Sequence, residues 1–221
     1  MTPYTTVVIT EQHNNGQAIE GASMKHIIII LCLVCAVMAT GQTVRPKKGK
    51  KAVTQQDSLK GLVVIQTSLG DIAIQLFDDK APLHSANFRK LAQEGFFEGT
   101  TFHRVIPGFM IQGGDPNSKT DNRSSHGMGG PNYTIDAEIG VSHDRGVIAA
   151  ARQGDQVNPK RKSNGSQFYI TIAPAKFLDG QYSVFGKVAH GMDVADKIAA
   201  VKRDAMDNPI ERVVIKKIVA H

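Results

Sequence analysis

The sequence has no tryptophan, and its two cysteines, Cys32 and Cys35, both lie in one short apolar stretch near the N-terminus. Nothing downstream can form a disulfide, so a disulfide-stapled scaffold is excluded. The body must hold together by packing alone, and about 160 residues suffice for that. The CxxC spacing of the pair looks redox-like, but no βαβ pattern surrounds it. No apolar run reaches the roughly 18–20 residues that a membrane-spanning helix needs, which excludes a polytopic membrane protein. HExxH, GxSxG and a glycine loop ending in GKS or GKT are all missing, so metalloprotease, α/β-hydrolase and P-loop chemistries lack their usual carriers.

What is present points to a turn-rich globular body. Of 221 residues, 41% are hydrophobic and 21% charged, with 21 glycines and a mean hydropathy of −0.18. That is too apolar for a disordered chain and too rich in glycine for a helix bundle. The formal charge is +6, but it is unevenly spread. Residues 43–60 hold six basic side chains against Asp57 alone, whereas residues 61–221 carry 19 basic and 17 acidic groups. The excess lies on a tail rather than on a face of the body, which argues against a nucleic-acid partner.

The N-terminal third divides by composition. Residues 27–39, IIIILCLVCAVMA, follow Lys25 and His26 and give way to Ala39-Thr40-Gly41. A short basic start, an apolar core and small residues before Gln42 make a secretory signal peptide over 24–41, starting at Met24. Residues 1–23 then form an extension upstream of the true start. Residues 42–60 are a basic polar linker, and the folded domain runs over 61–221. Export is expected, to the periplasm or outside the cell, with no stable membrane insertion once the signal is removed; a retained N-terminal membrane anchor or a buried core helix is the alternative.

Within the body, LVVIQTS (62–68) and DIAIQLF (71–77) flank Ser68-Leu69-Gly70-Asp71 and predict a hairpin. Pro82 to Glu94 predicts a helix, with proline near its start and Gly95 ending it. YTIDAE (133–138), GVIAAAR (146–152), SQFYITIA (166–173), SVFGKV (183–188) and ERVVIKKIVA (211–220) predict further strands. Val194–Val201 predicts a second helix, with Asp193 as its N-cap. The expected fold is mainly β: an eight-stranded antiparallel closed barrel capped by two α-helices.

The densest segment is FHRVIPGFMIQGGD (102–115). A strand over 101–106 is expected to turn at Pro107-Gly108 and return over 109–112. Alternation puts Arg104 with Phe102 on one face and His103 with Val105 on the other; Met110 and Gln112 share a face of the return strand. Taken with NGSQFYIT (164–171) and FLDGQYSVFGKV (177–188), this segment closely resembles the cyclophilin family of peptidyl-prolyl cis-trans isomerases, over roughly residues 61–220. The resemblance implies a substrate groove outside the barrel and proline-containing polypeptides as partners. It places Arg104 as the catalytic arginine, Phe109 and Met110 on the floor of a proline pocket, and Gln112 in the groove. It makes Ala151 and Arg152 the pair whose backbone lines the substrate, puts Gln167 and Tyr169 in the adjoining block, and makes Phe177, Leu178 and Tyr182 the far wall. Tyr169 stands where the family commonly has Phe. Phe177, Tyr182 and Arg152 stand where many eukaryotic members have Trp, His and Asn; the Phe and Tyr look like a bacterial exported branch. The segment 153–162, QGDQVNPKRK, is longer than the short family form and is expected to be an exposed loop at the groove rim.

Rotation about an X–Pro amide breaks no bond, so no nucleophile, metal or cofactor is expected; only the double-bond character of C–N must fall. His84, His103, His126 and His143 lack ligand spacing and read as hydrogen-bonded or solvent-facing. Gly127 to Gly130 reads as a surface loop. A monomer is expected. A module that binds proline segments without turning them over is the alternative.

Overall fold

The computed structural model describes residues 59–221. The readings of residues 1–23, of the signal peptide 24–41 and of most of the linker 42–60 lie outside it. No described helix is long and apolar enough to cross a membrane.

Eight strands form one antiparallel sheet: β1 (Val63–Thr67), β2 (Gly70–Leu76), β3 (Arg104–Ile106), β4 (Met110–Gly113), β5 (Val147–Ala150), β6 (Phe168–Thr171), β7 (Val184–His190) and β8 (Ile215–Ala220), in the spatial order β3-β4-β6-β5-β7-β2-β1-β8. The sheet curls until its two edges meet. Phe102 N donates to Val213 O at 2.9 Å, Ile215 N to Thr100 O at 2.8 Å and Gly99 N to Ile215 O at 2.9 Å. Two helices pack on it, α1 (Pro82–Gln93) against β8 and β7, and α2 (Met192–Ala199) against β2, β4 and β3.

Period-two alternation sorts the side chains onto two faces. Ile65, Ile72, Ile74, Ile111, Ile148 and Ile170 point inward and fill the core with Phe88, Phe102 and Phe168, all buried. The core aromatics meet edge-to-face, Phe88 on Phe168 at 5.5 Å between ring centroids and Phe102 on Phe168 at 6.1 Å. A second, smaller apolar cluster lies on the outer face of β4, β5, β6 and β7, around Met110, Val147, Ala149, Tyr169 and Val184. The lumen is therefore solid, and any site must lie outside it.

Helix α1 starts at Pro82, but Ala81 has no side chain to cap it. The cap comes from across the fold: Glu138 accepts the amides of Leu83 and His84, each at 3.0 Å. Its carboxylate also meets His84 Nδ1 at 2.6 Å, and His84 Nε2 meets Ser163 Oγ at 2.7 Å. Burial pushes the His84 pKa down despite Glu138, so its ring is neutral, donating to Glu138 and accepting from Ser163. This Ser–His–Glu chain has a hydrolase-like order, yet Ser163 is only 2% exposed; it ties elements together.

Three sequence expectations fail for physical reasons. Residues 133–138 form no strand beyond a single bridge, Ile135 to Ser163, because every place in the sheet is already taken. Helix α2 begins at Met192, with left-handed Gly191 before it rather than an Asp193 cap. A Cβ on Gly191 would overlap the Asp71 carbonyl, so only glycine fits there. Third, β3 begins at Arg104, and the chain at 102–103 is irregular. Phe102 and Val105 both enter the core while Arg104 points out, so Arg104 and Phe102 do not share a face.

Candidate active site

Strand register assembles the site. Arg104 on β3 faces Gln112 on β4, Gln112 faces Tyr169 on β6, and Tyr169 faces Ala149 on β5. These four lie in one row across four strands, on the outer face. The next row holds Ile111, Ile170 and Ile148, and it points into the core. A step of one residue along each strand thus separates the site from the interior.

Over the outer row lies a hollow of about 210 Å³. Phe109, Met110, Tyr169, Leu178 and Tyr182 give it apolar walls. Arg104 and Gln112 stand along one side, Ala151 and Arg152 along the other. Nine of the eleven residues singled out from the sequence line this hollow. The other two flank it. Gln167 is buried behind Gln112, accepting its amide at 3.0 Å, and donates to Gly127 O and Gly129 O at 2.9 and 2.8 Å. It thereby fixes both the groove glutamine and the glycine-rich loop. Phe177 is at the lip, 67% exposed, its ring tilted against Phe109 at 5.5 Å.

Arg104 keeps its guanidinium half in solvent, with Asp207 Oδ2 at 3.9 Å. Ala151 donates its amide to Gln167 O and accepts from Asn164 N, both at 2.9 Å. Of the Ala151–Arg152 pair, only Arg152 has backbone groups outside the hydrogen bonds of the fold among the described residues. Its side chain is less free than its sequence position suggests. It is 3% exposed, donates to Gln181 O at 2.9 Å, and lies over the Tyr182 ring at 4.5 Å.

Two supporting residues were not found from the sequence. The Tyr169 hydroxyl meets His143 Nε2 at 3.0 Å, and His143 Nδ1 meets Asp179 Oδ1 at 2.9 Å. Asp179 also accepts from Ser142 Oγ at 2.5 Å and from His143 N at 2.7 Å; these bonds hold its carboxyl down to about 2, so it is ionised and cannot donate. His143 Nδ1 therefore carries the proton of that bond, and Nε2 faces the Tyr169 hydroxyl. Burial pushes the phenol's pKa up, so Tyr169 remains a donor. Asp179, His143 and Tyr169 thus form a chain that braces the hollow from behind. His143 and Asp179 are 36 residues apart, and no local pattern joins them.

His103 breaks the expectation for the histidines. It is buried, and neither ring nitrogen has a hydrogen-bond partner among the described residues. Burial pushes its pKa down to about 4, the nearby Asp115 opposing only in part. Among the described residues no group of three or more His, Cys, Asp or Glu could hold a metal ion.

The family model for cyclophilin type peptidyl-prolyl cis-trans isomerase/CLD matches residues 62–220. The chain belongs to the cyclophilin family. Peptidyl-prolyl cis-trans isomerase ppi1 of Schizosaccharomyces pombe is 39% identical over 159 residues, covering 72% of this chain and 97% of its own length. Peptidyl-prolyl cis-trans isomerase CYP18-1 of Arabidopsis thaliana is 36% identical over 160 residues, covering 72% and 95%. Among solved structures, a cyclophilin type isomerase of Cryptosporidium parvum, crystallised in the presence of the dipeptide Ala-Pro, superposes with a TM-score of 0.65 at 34% identity, covering 72% of this chain and 98% of that one. This cyclophilin is therefore a peptidyl-prolyl cis-trans isomerase, a mainly β protein of eight antiparallel strands and two helices that acts on proline-containing polypeptides.

Proposed function

We propose that the hollow on the outer row is where the X–Pro bond turns, with Arg104 as the catalytic residue. The observation that supports this is the row itself, which sets a permanently charged fork beside an apolar hollow of side-chain size. As the amide twists, the prolyl nitrogen loses conjugation and gains a lone pair. The Arg104 guanidinium donates to that nitrogen, and no bond is broken. Phe109, Met110, Tyr169 and Leu178 hold the ring still, with Phe177 at the entrance. Gln112, positioned by Gln167, and the Arg152 backbone hold the chain on either side. Catalysis follows from holding the twisted state more tightly than either planar isomer.

The assay is protease-coupled cis-to-trans conversion of a proline tetrapeptide. A preorganised donor aimed at developing charge is typically worth about 3–4 kcal/mol, so Arg104→Ala should lower kcat/KM roughly 10²–10³-fold. Equal rates in the two proteins would remove Arg104 from its role. Peptide bound without acceleration in either would mark a proline-segment binding module instead.

The setting we propose is the folding of exported proteins by a monomer in the periplasm or beyond. The support is the pattern of residues 24–41, LysHis-led, apolar and closed by small residues. The relatives named above are eukaryotic, and the bacterial-branch reading rests on Phe177 and Tyr182 together with that leader. Recovery from outside the cytoplasm of a chain beginning at Gln42 is the expected result; a cytoplasmic chain retaining residues 24–41 would overturn it.

A further inference from the structure

The segment 153–162 has no part in the reaction as set out above, yet it is not a loose loop. Val157 and Asn158 amides both donate to Gly154 O, and Asn158 and Lys162 exchange two hydrogen bonds. At its centre Asp155 takes Arg152 Nη1 on one carboxylate oxygen at 2.6 Å. It takes Arg161 Nη2 and Nε on the other, at 2.8 and 3.2 Å. Both arginines then reach the same turn, at adjacent residues. Arg152 Nε donates to Gln181 O at 2.9 Å, and Arg161 Nη1 to Gly180 O at 2.8 Å. One carboxylate thus holds two guanidinium forks, and each fork clamps one of two consecutive carbonyls. Those carbonyls belong to the stretch that delivers Leu178 and Tyr182 to the hollow. Gln181's own remaining bonds are local, to Leu178 O and Phe177 O.

We propose that Asp155 is a positioning residue for substrate binding, holding Arg152 and Arg161 as a two-pronged strap that fixes the Leu178–Tyr182 wall for the proline ring. The inference rests on the hollow being the substrate site. A guanidinium as buried as that of Arg152 stays in place only with its charge matched and its N–H groups bonded. Asp155 supplies the match, and both arginines hold its carboxyl below the usual range, Arg161 more than Arg152. Without Asp155 the Arg152 side chain is drawn toward water, because a long charged side chain keeps its head solvated when it can. It then leaves the Tyr182 ring, and the wall loses both its cation–π contact and its two carbonyl clamps. A loosened wall must be ordered afresh by each incoming peptide, which weakens binding. The Arg104–Gln112 pair lies on β3 and β4, which the strap does not touch. The loss therefore falls on KM and not on kcat, the signature of uniform binding.

The test compares the wild-type protein with Asp155→Ala, Asp155→Glu and Asp121→Ala. The last removes another exposed aspartate that pairs with an arginine, Arg212. Dissociation of a proline tetrapeptide is measured by NMR titration, and kcat and KM by the coupled assay, with thermal melting as a check on folding. Asp155→Ala should raise the peptide Kd and KM about 3–10-fold and leave kcat within about twofold. Asp155→Glu should recover most of the loss, and Asp121→Ala should change nothing. If Asp155→Ala does not fold, Arg161→Gln, which removes one prong and leaves Arg152 paired, should still raise Kd about two- to threefold. An unchanged Kd in a folded Asp155→Ala, or a fall in kcat at constant KM, overturns the strap. Peptide binding by the wild type without acceleration counts against turnover at the hollow instead; the Kd comparison then still decides the strap.

Discussion

Tyr169→Phe separates two jobs of one side chain. The ring forms part of the hollow, while the hydroxyl reaches away from it to His143 Nε2 at 3.0 Å. Phenylalanine keeps the ring and deletes the hydroxyl, and His143 is fully buried, so its Nε2 is left without a partner. Nδ1 stays bonded to Asp179, so the ring cannot turn to find another. Leaving a buried polar nitrogen unsatisfied costs about 1–3 kcal/mol. For a domain of this size each kcal/mol moves the melting temperature by roughly 2–4 °C, so a fall of about 2–12 °C is expected. The ring still packs in the hollow, so kcat/KM should stay within about threefold. Urea unfolding and the coupled isomerase assay read the two quantities on the same preparation. An unchanged stability would refute the bracing chain. A tenfold or greater loss of kcat/KM in a stably folded variant would show that the hydroxyl takes part in the reaction.

Two further outcomes follow from buried groups away from the hollow. The folded pKa of His103, about 4, lies below the ordinary 6.5, so its contribution to stability is complete above about pH 6.5. As pH falls from there toward 4 the unfolded chain takes up a proton that the folded protein does not, and stability drops by roughly 2–4 kcal/mol. Lowered His84 adds loss as pH falls below its ordinary value, and lowered Asp179 adds more between about 4 and 2. Because neither His103 nitrogen is bonded, His103→Phe should flatten its part of the slope in pH-dependent urea unfolding and cost little at pH 7; a loss above about 2 kcal/mol at pH 7 would show that the ring is hydrogen-bonded after all. Gly114 has φ +83°, and a Cβ there would overlap the Ser166 carbonyl and press on the Phe168 ring. Gly114→Ala should therefore destabilise by more than about 3 kcal/mol, read as a large fall in melting temperature, and a near-normal melt would contradict that packing.

The parts of the fold that were legible in the sequence are those whose pattern is local. The β1–β2 hairpin shows as two β-rich runs around Gly70, and α1 as a proline start with Phe88, Leu91 and Ala92 at helical spacing. The candidate site was legible because its residues crowd into three short blocks, and the strand register then brings Arg104, Gln112 and Tyr169 side by side. What stayed hidden depends on distance. Residues 133–138 have strand composition but no free partner, and a sequence does not display which ladder positions are filled. Phe102 and Val105 both turn inward because the Phe102 amide is drawn to Val213, more than a hundred residues away, and the alternation breaks there. The side chain of Arg152 could be placed only once Asp155, Gln181 and Tyr182 were seen around it. The Tyr169–His143–Asp179 chain joins three segments, each unremarkable alone.

The meeting of the sheet's two edges bears on the company this protein keeps. A chain awaiting proline isomerisation is not yet folded, and its exposed segments will pair with any strand that offers unsatisfied amides and carbonyls. Here residues 99–102 and 213–215 occupy each other's hydrogen-bonding groups. A client is left with a hollow to visit rather than a ladder to extend. Its hold on the enzyme then depends on side-chain pockets that release it, and repeated encounters with sticky, half-made proteins need not end in co-aggregation.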